Sequence, residues 1–193
     1  MANKDAAFGL RPIGKVGQNK DNQGLSEYNI AANSSAIYQN DTVQFLATGY
    51  VGVADTTTAV LLGSLNGVFY TDSADQKPKW ANHLAASNAA TDIVGFVSDD
   101  PYERFEVQSS TTLAIADIGL NADIVYAAGA SPNFVSKVEV NTGSMVSTTA
   151  QFRVVGVAKD IENSEKSNVT TYAANVNVVG IINEHFLKQT AGI

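Results

Sequence analysis

The chain of 193 residues contains no cysteine. Disulfide staples, thiolate nucleophiles and cysteine-held zinc are therefore excluded. Charge is scarce as well: 16% of residues are Asp, Glu, Lys or Arg, against an average of about 25%. Ser, Thr, Asn, Gly and Ala take up the difference. A surface so poor in charge is weakly protected against association, so oligomerisation or docking is expected. No segment approaches the ~20 apolar residues of a membrane helix. Met1 leads into Ala-Asn-Lys-Asp, not into a basic stretch followed by an apolar run, so no secretory signal is expected.

The catalytic vocabulary is equally thin. There are two histidines, His83 and His185. The first falls in an irregular stretch and the second follows the last strand, and both read as surface residues. No G-x-S-x-G elbow occurs, because Gly63-Ser-Leu-Asn-Gly67 misplaces the serine. Phosphate loops, dinucleotide fingerprints and helical zinc sites are missing too. No nucleophile, base and orienter can be assembled, so the chain is expected to be non-enzymatic, with no catalytic residue, metal or cofactor. Asp117-Ile-Gly-Leu-Asn-Ala-Asp123 does place oxygen ligands at alternating positions, as in the first half of a calcium loop. An EF-hand would need glycine where Ala122 stands and glutamate where Ala128 stands. A helix cap at Gly119 followed by an Asn turn explains the same residues. Three glycosylation-type triplets begin at Asn33, Asn40 and Asn168; without a signal they read as chance matches.

The net charge of −7 argues against general nucleic-acid binding. Its distribution is uneven. Residues 1–20 hold Lys4, Arg11, Lys15 and Lys20 against Asp5 alone, net +3. The remaining 173 residues hold 8 basic and 18 acidic side chains, net −10. Residues 1–24 are rich in glycine and follow no strand or helix period. Phe8, Leu10 and Ile13 punctuate them. This reads as an extended N-terminal arm that docks by a few anchors, preceding a β-rich body over residues 25–193.

In the body, strand-like segments outnumber helical ones, with turn signals every ~8–12 residues, the pattern of a single-domain β-barrel or β-sandwich. Strands are expected over Leu25–Ala31, Ile37–Ala47, Val51–Val53 and Ala59–Tyr70. Later ones fall at Ile124–Ala127, Phe134–Val140, Gln151–Ile161 and Ala174–Asn183. Gly63 and Gly67 suggest bulges in the fourth. Thr71–Ala90 reads as a long irregular loop, and Thr111–Gly119 as a short capped helix. Phe69, Tyr70, Trp80 and Tyr102 form either a binding patch or, preferred, packing.

The centre of the chain is a corner. Ile93-Val-Gly-Phe-Val97 and Tyr102–Gln108 read as strands on either side of Asp99-Asp100-Pro101. Pro101 donates no ladder hydrogen bond and holds Asp100 extended, and Asp side chains cap such turns. The carboxylates therefore read as structural. Glu103 and Glu106 read as a solvated face alternating with Phe105 and Val107.

Several segments together carry a family resemblance. Ala7-Phe-Gly-Leu-Arg-Pro12, Gly67–Asp72 with Lys77-Pro-Lys-Trp80, Ile93–Pro101 with Phe105–Gln108, Ala116–Asp123 and Thr149–Val157 occur in an order that resembles a family of tailed-bacteriophage head structural proteins. The resemblance implies a capsid decoration, or cement, protein on the outer surface of the virion. It would bind and stabilise the major capsid protein lattice. Its partners would be the major capsid protein and copies of itself, as dimer or trimer, with no nucleic acid and no membrane. The arm would supply the contacts through Phe8, Leu10, Arg11, Pro12 and Lys15. The alternatives are another virion part (a head-fibre base or tail protein) or a carbohydrate-binding β-sandwich using Trp80 and the 71–90 loop.

Overall fold

The computed structural model describes residues 3–17 and 24–190. Along the chain run β1 (Arg11–Lys15), β2 (Ser26–Asn29), β3 (Thr42–Phe45), β4 (Val51–Val53) and β5 (Gly63–Thr71). Next come β6 (Pro78–Ala81), β7 (Val94–Ser98), β8 (Glu103–Gln108), β9 (Leu113–Ala114) and β10 (Asn121–Ala122). The last are β11 (Ile124–Val125), β12 (Glu139–Val140), β13 (Phe152–Val157), β14 (Thr171–Tyr172) and β15 (Asn177–Ile182). Among the described residues helix is confined to two single 3-10 turns, Ile115–Asp117 and Phe186–Lys188. The protein is mainly β, as its turn-rich, strand-length apolar runs require.

Two antiparallel sheets dominate. One has the order β1-β8-β15-β13-β10. The other runs β2-β7-β5-β3-β4, with β6 also paired to β5. Both orders end in unpaired strands, so neither sheet closes into a barrel among the described residues. β5 is long enough to take two neighbours along one edge: β3 pairs with its first residues and β6 with its last four. Each sheet covers its own core. Leu10, Leu61, Phe105, Leu113 and Phe152 belong to the first. Ile30, Leu62, Leu65, Leu84 and Ile93 belong to the second. Consecutive residues in extended chain point to opposite sides. Leu61 and Leu62 use that alternation to fill one core each, both fully buried.

Four expectations change. The 71–90 loop holds β6, which pairs with β5 from Val68↔Ala81 to Thr71↔Pro78. Pro78 is tolerated because it opens a strand at the sheet edge. The helix expected over Thr111–Gly119 is a two-residue strand and one 3-10 turn, closed when the Asp117 carboxylate accepts the Ala114 amide at 3.1 Å. Of the strand expected over Phe134–Val140, only Glu139–Val140 pairs as a strand.

The fourth change concerns the arm. Residues 3–15 are built into the body: β1 pairs antiparallel with β8, from Arg11↔Glu106 to Lys15↔Glu103. Just before it, Gly9 adopts φ +75°, and a Cβ there would lie 2.4 Å from the Asn40 carbonyl oxygen. Only glycine fits that approach. Further back, side-chain amides tie down the extended chain. Asn3 donates to the Ala174 carbonyl at 3.0 Å, and Gln108 and Asn163 both donate to the Lys4 carbonyl. The part of the expected arm over residues 18–23 lies outside the described residues.

Candidate functional site

The five residues expected to grip a partner are mostly engaged at home. Leu10 is fully buried; its amide donates to the Asn40 carbonyl at 2.9 Å, and its carbonyl accepts the Ser64 hydroxyl at 2.6 Å. Pro12 stands opposite Phe105 in the ladder. Arg11 holds Glu106 at 2.7 Å and lies over the Phe8 ring, 4.7 Å from its centroid. Lys15 holds Asp100 at 2.9 Å. Among the exposed side chains of this segment are the apolar Ile13 and Val16, and Tyr102, across the ladder from Val16, is 61% exposed. Val16 donates its amide to the Tyr102 carbonyl at 2.9 Å, which extends the β1–β8 ladder by one step and sets these two side by side at its end.

The Asp99-Asp100-Pro101 corner carries the chain from β7 in one sheet to β8 in the other. Its carboxylates have different jobs. Asp100 accepts the Tyr102 amide at 2.8 Å and pairs with Lys15, which holds its carboxyl below the usual range. Asp99 accepts the Ser26 hydroxyl at 2.9 Å and the Tyr28 hydroxyl at 2.5 Å, fastening β2 to the corner. Glu103 is not solvated. It lies on the inward face, 3% exposed, and accepts the Gly14 amide at 2.9 Å; burial raises its carboxyl. Glu106 is covered by Arg11 and Asn177. Glu106 does point outward, but the N-terminal segment roofs that outer face, whereas Glu103 shares the inward face of Phe105 and Val107.

His185 is also buried, fully enclosed beside Leu61. Its Nδ1 accepts the Leu187 amide at 3.1 Å, so the proton of the neutral ring sits on Nε2, which has no hydrogen-bond partner among the described residues. Burial and the Lys188 ammonium push the imidazole down to about 4, against the pull of Asp99 and Asp100. Asp41 is the opposite case. Burial pushes its carboxyl up to about 6, although the Ser136 side chain and the Tyr38 amide hold it down. A histidine lowered by folding contributes stability that is present above pH 6.5 and lost as pH falls toward 4. A carboxyl raised by folding contributes stability that is present below pH 3.8 and lost as pH rises through 6. Each effect amounts to about 3 kcal/mol, and they oppose one another over the same range. Urea titrations at pH 4.5, 5.5 and 6.5 will therefore show opposite trends. Relative to the parent, Asp41→Asn gains stability as pH rises, whereas His185→Asn gains as pH falls. Two variants with parallel profiles would refute the pairing.

The four aromatic residues suspected of forming one patch are divided. Tyr102 sits at the corner with Lys188 over its ring at 4.9 Å. Tyr70 packs against the second core. Phe69 and Trp80 are cross-strand partners, 42% and 54% exposed on the outer face of the second sheet. Phe96 joins them, its ring 4.9 Å from that of Trp80. The sequence masks Phe96, since Ile93–Val97 is apolar on both faces. The available signal is Gly95, whose missing side chain makes room for Ile30 and Leu65 and so marks the inward face.

His83 is stacked on Phe134 at 4.0 Å, and burial lowers its pKa. Around Asp117–Asp123 the side chains turn to separate partners. Asp117 caps Ala114, Asn121 accepts from Arg153 at 2.9 Å, and Asp123 accepts the Gln151 amide at 3.4 Å. Among the described residues no three His, Cys, Asp or Glu side chains gather as a metal site, and no helix is long and apolar enough to cross a membrane. No protein-family model matches the chain, and neither the curated proteins nor the solved structures contain a match.

Proposed function

We propose that this chain is a non-enzymatic virion structural protein that decorates the outer surface of a tailed-phage head and reinforces the major capsid protein lattice. The observation that carries the reading is the ordered series of segments from Ala7–Pro12 to Thr149–Val157 that resembles phage head structural proteins. The roles of those segments support it. Gly9 wedges the first segment against Asn40, Gly67–Trp80 forms a hairpin, Ile93–Gln108 turns the corner between sheets, and Phe152–Val157 is a core strand. Their side chains serve packing and hydrogen bonding.

The contact surface is the exposed apolar end of the β1–β8 ladder, Val16 and Tyr102 with Ile13 close by in the chain, and not a detached arm. Arg11, half exposed, stands at the other end of β1 against Glu106. A protein that binds the assembled lattice and not its free subunits stabilises the lattice by mass action. Copies would gather as two or three around a symmetry axis.

The test is co-purification with assembled heads. The parent is expected at a fixed ratio to the major capsid protein. Val16→Asp, on an exposed side chain, is expected to lower occupancy about tenfold without altering the urea midpoint, a cost of ~1.4 kcal/mol in binding. Full occupancy by this variant would overturn the surface. A virion map with the protein only at the tail would overturn the location.

A further inference from the structure

We propose that the outer face of the second sheet, centred on Trp80, is a binding platform for a neutral saccharide. Trp80 and Phe69 are directly opposed across β6 and β5, and Phe69 in turn opposes Val94 on β7. Phe96 stands in the next row, opposite Gly67. Strand pairing places these four side chains on one side of the sheet. The face is apolar and outward.

The indole is fixed before any ligand arrives. A Cβ at Gly67 would lie 2.6 Å from Trp80 Cζ2 and 3.1 Å from Cη2, so the ring occupies the space a side chain would fill. Phe96 buttresses it at an interplanar angle of 57°. A ring seated in this way loses little rotamer freedom on binding, and so keeps more of its contact energy.

Size and charge select the occupant. Three strands ~4.8 Å apart and two residues along each give a platform of roughly 10 by 7 Å. That matches one or two sugar rings and falls far below the ~800 Å² per partner of a stable protein interface. Strand addition at β6 is opposed by Pro78 and by flanking lysines, the usual defences of an edge. Lys79 alternates to the other side of β6 and is held by Asp72 and Asp75. The polar rim is acidic and amide: Glu27 opposes Phe96, Asn29 opposes Val94, and both are exposed. Such a rim repels phosphate and sulfate and accepts hydroxyl donors. A pyranose meets both requirements, with its C–H face on the indole and its hydroxyls toward Glu27 and Asn29.

Trp80 is the only tryptophan in the chain, so its emission reports the site directly. The intact protein is screened on an array of neutral oligosaccharides. The strongest binder is then titrated against tryptophan fluorescence, with maltose and cellobiose run beside it. A saturable change in emission is expected. On the array, Trp80→Ala is expected to weaken binding at least about tenfold. Glu27→Gln, which leaves the aromatic platform intact, is expected to weaken it by a smaller factor and to shift the emission titration to higher sugar concentration. No binder on the array, or equal binding by Trp80→Ala, overturns the proposal. So does a fall in oligomer size on Trp80→Ala without sugar present, because the face is then a protein interface. Capsid occupancy is measured separately, so loss of one reading leaves the other standing.

Discussion

A chain lacking residues 2–17 will lose its cooperative fold. The deletion removes Leu10 from the first core, and the loss of a buried leucine side chain alone costs about 2–5 kcal/mol. It strips β1 from β8 and leaves Glu103 without the Gly14 amide. Gln108, 1% exposed, loses both the Ala6 amide and the Lys4 carbonyl. Ser64 loses the Leu10 carbonyl. Each buried polar group left unpaired costs about 1–3 kcal/mol. Together these losses reach the ~5–15 kcal/mol that holds a typical domain folded. Urea unfolding followed by Trp80 fluorescence and far-ultraviolet circular dichroism is expected to show no sharp transition, or one lowered by at least about 5 kcal/mol. A truncated chain with the parent's midpoint would restore the picture of a dispensable arm.

The second large effect separates two phenylalanines that look alike in the sequence. Phe105→Ala is expected to cost about 3–5 kcal/mol. Its ring is 1% exposed, in the first core, on the strand between β1 and β15. Phe96→Ala is expected to cost about 1 kcal/mol, the scale of one aromatic contact on a half-open face, because its main partner is the exposed Trp80. The corner fixes this difference. Phe96 alternates outward beside the inward Gly95 and Val97, whereas Phe105 alternates inward with Glu103 and Val107. Paired urea titrations check it. Equal losses at the two positions would mean that the Trp80 face is covered.

The local parts of this fold were legible. Val51–Val53, the two sides of the Asp99-Pro101 corner and the cores of β13 and β15 follow from apolar runs bounded by turn residues. Relations between distant segments were hidden. Glu106 looked solvated because nothing near it in the chain reveals that Arg11 and Asn177 will cover it. Leu10 looked like a docking anchor because the loose composition around it conceals a ladder with β8. Its tethers are Asn, Gln and Ser side chains, which carry no period. His185 gave no sign of burial, since its place is set by a bridge to Leu61 from the other side of the chain. For the candidate surfaces, Trp80 and Phe69 were visible as aromatics, but their shared face follows only from β6, which Pro78 disguised.

The side-chain tethers at residue 3 impose an order of events on synthesis. Asn3 is held by the carbonyls of Ala173 and Ala174 and by the amide of Glu165. β8, the partner of β1, takes its other neighbour from Asn177–Ile182. Residues 3–15 thus leave the ribosome well before the segments that hold them, and the five-stranded sheet cannot be completed until β15 has emerged. Pairing between such remote segments is slow compared with local hairpin closure. Until then the apolar faces of β1 and β8 remain open in the nascent chain, which makes the interval before release the time of greatest exposure to aggregation.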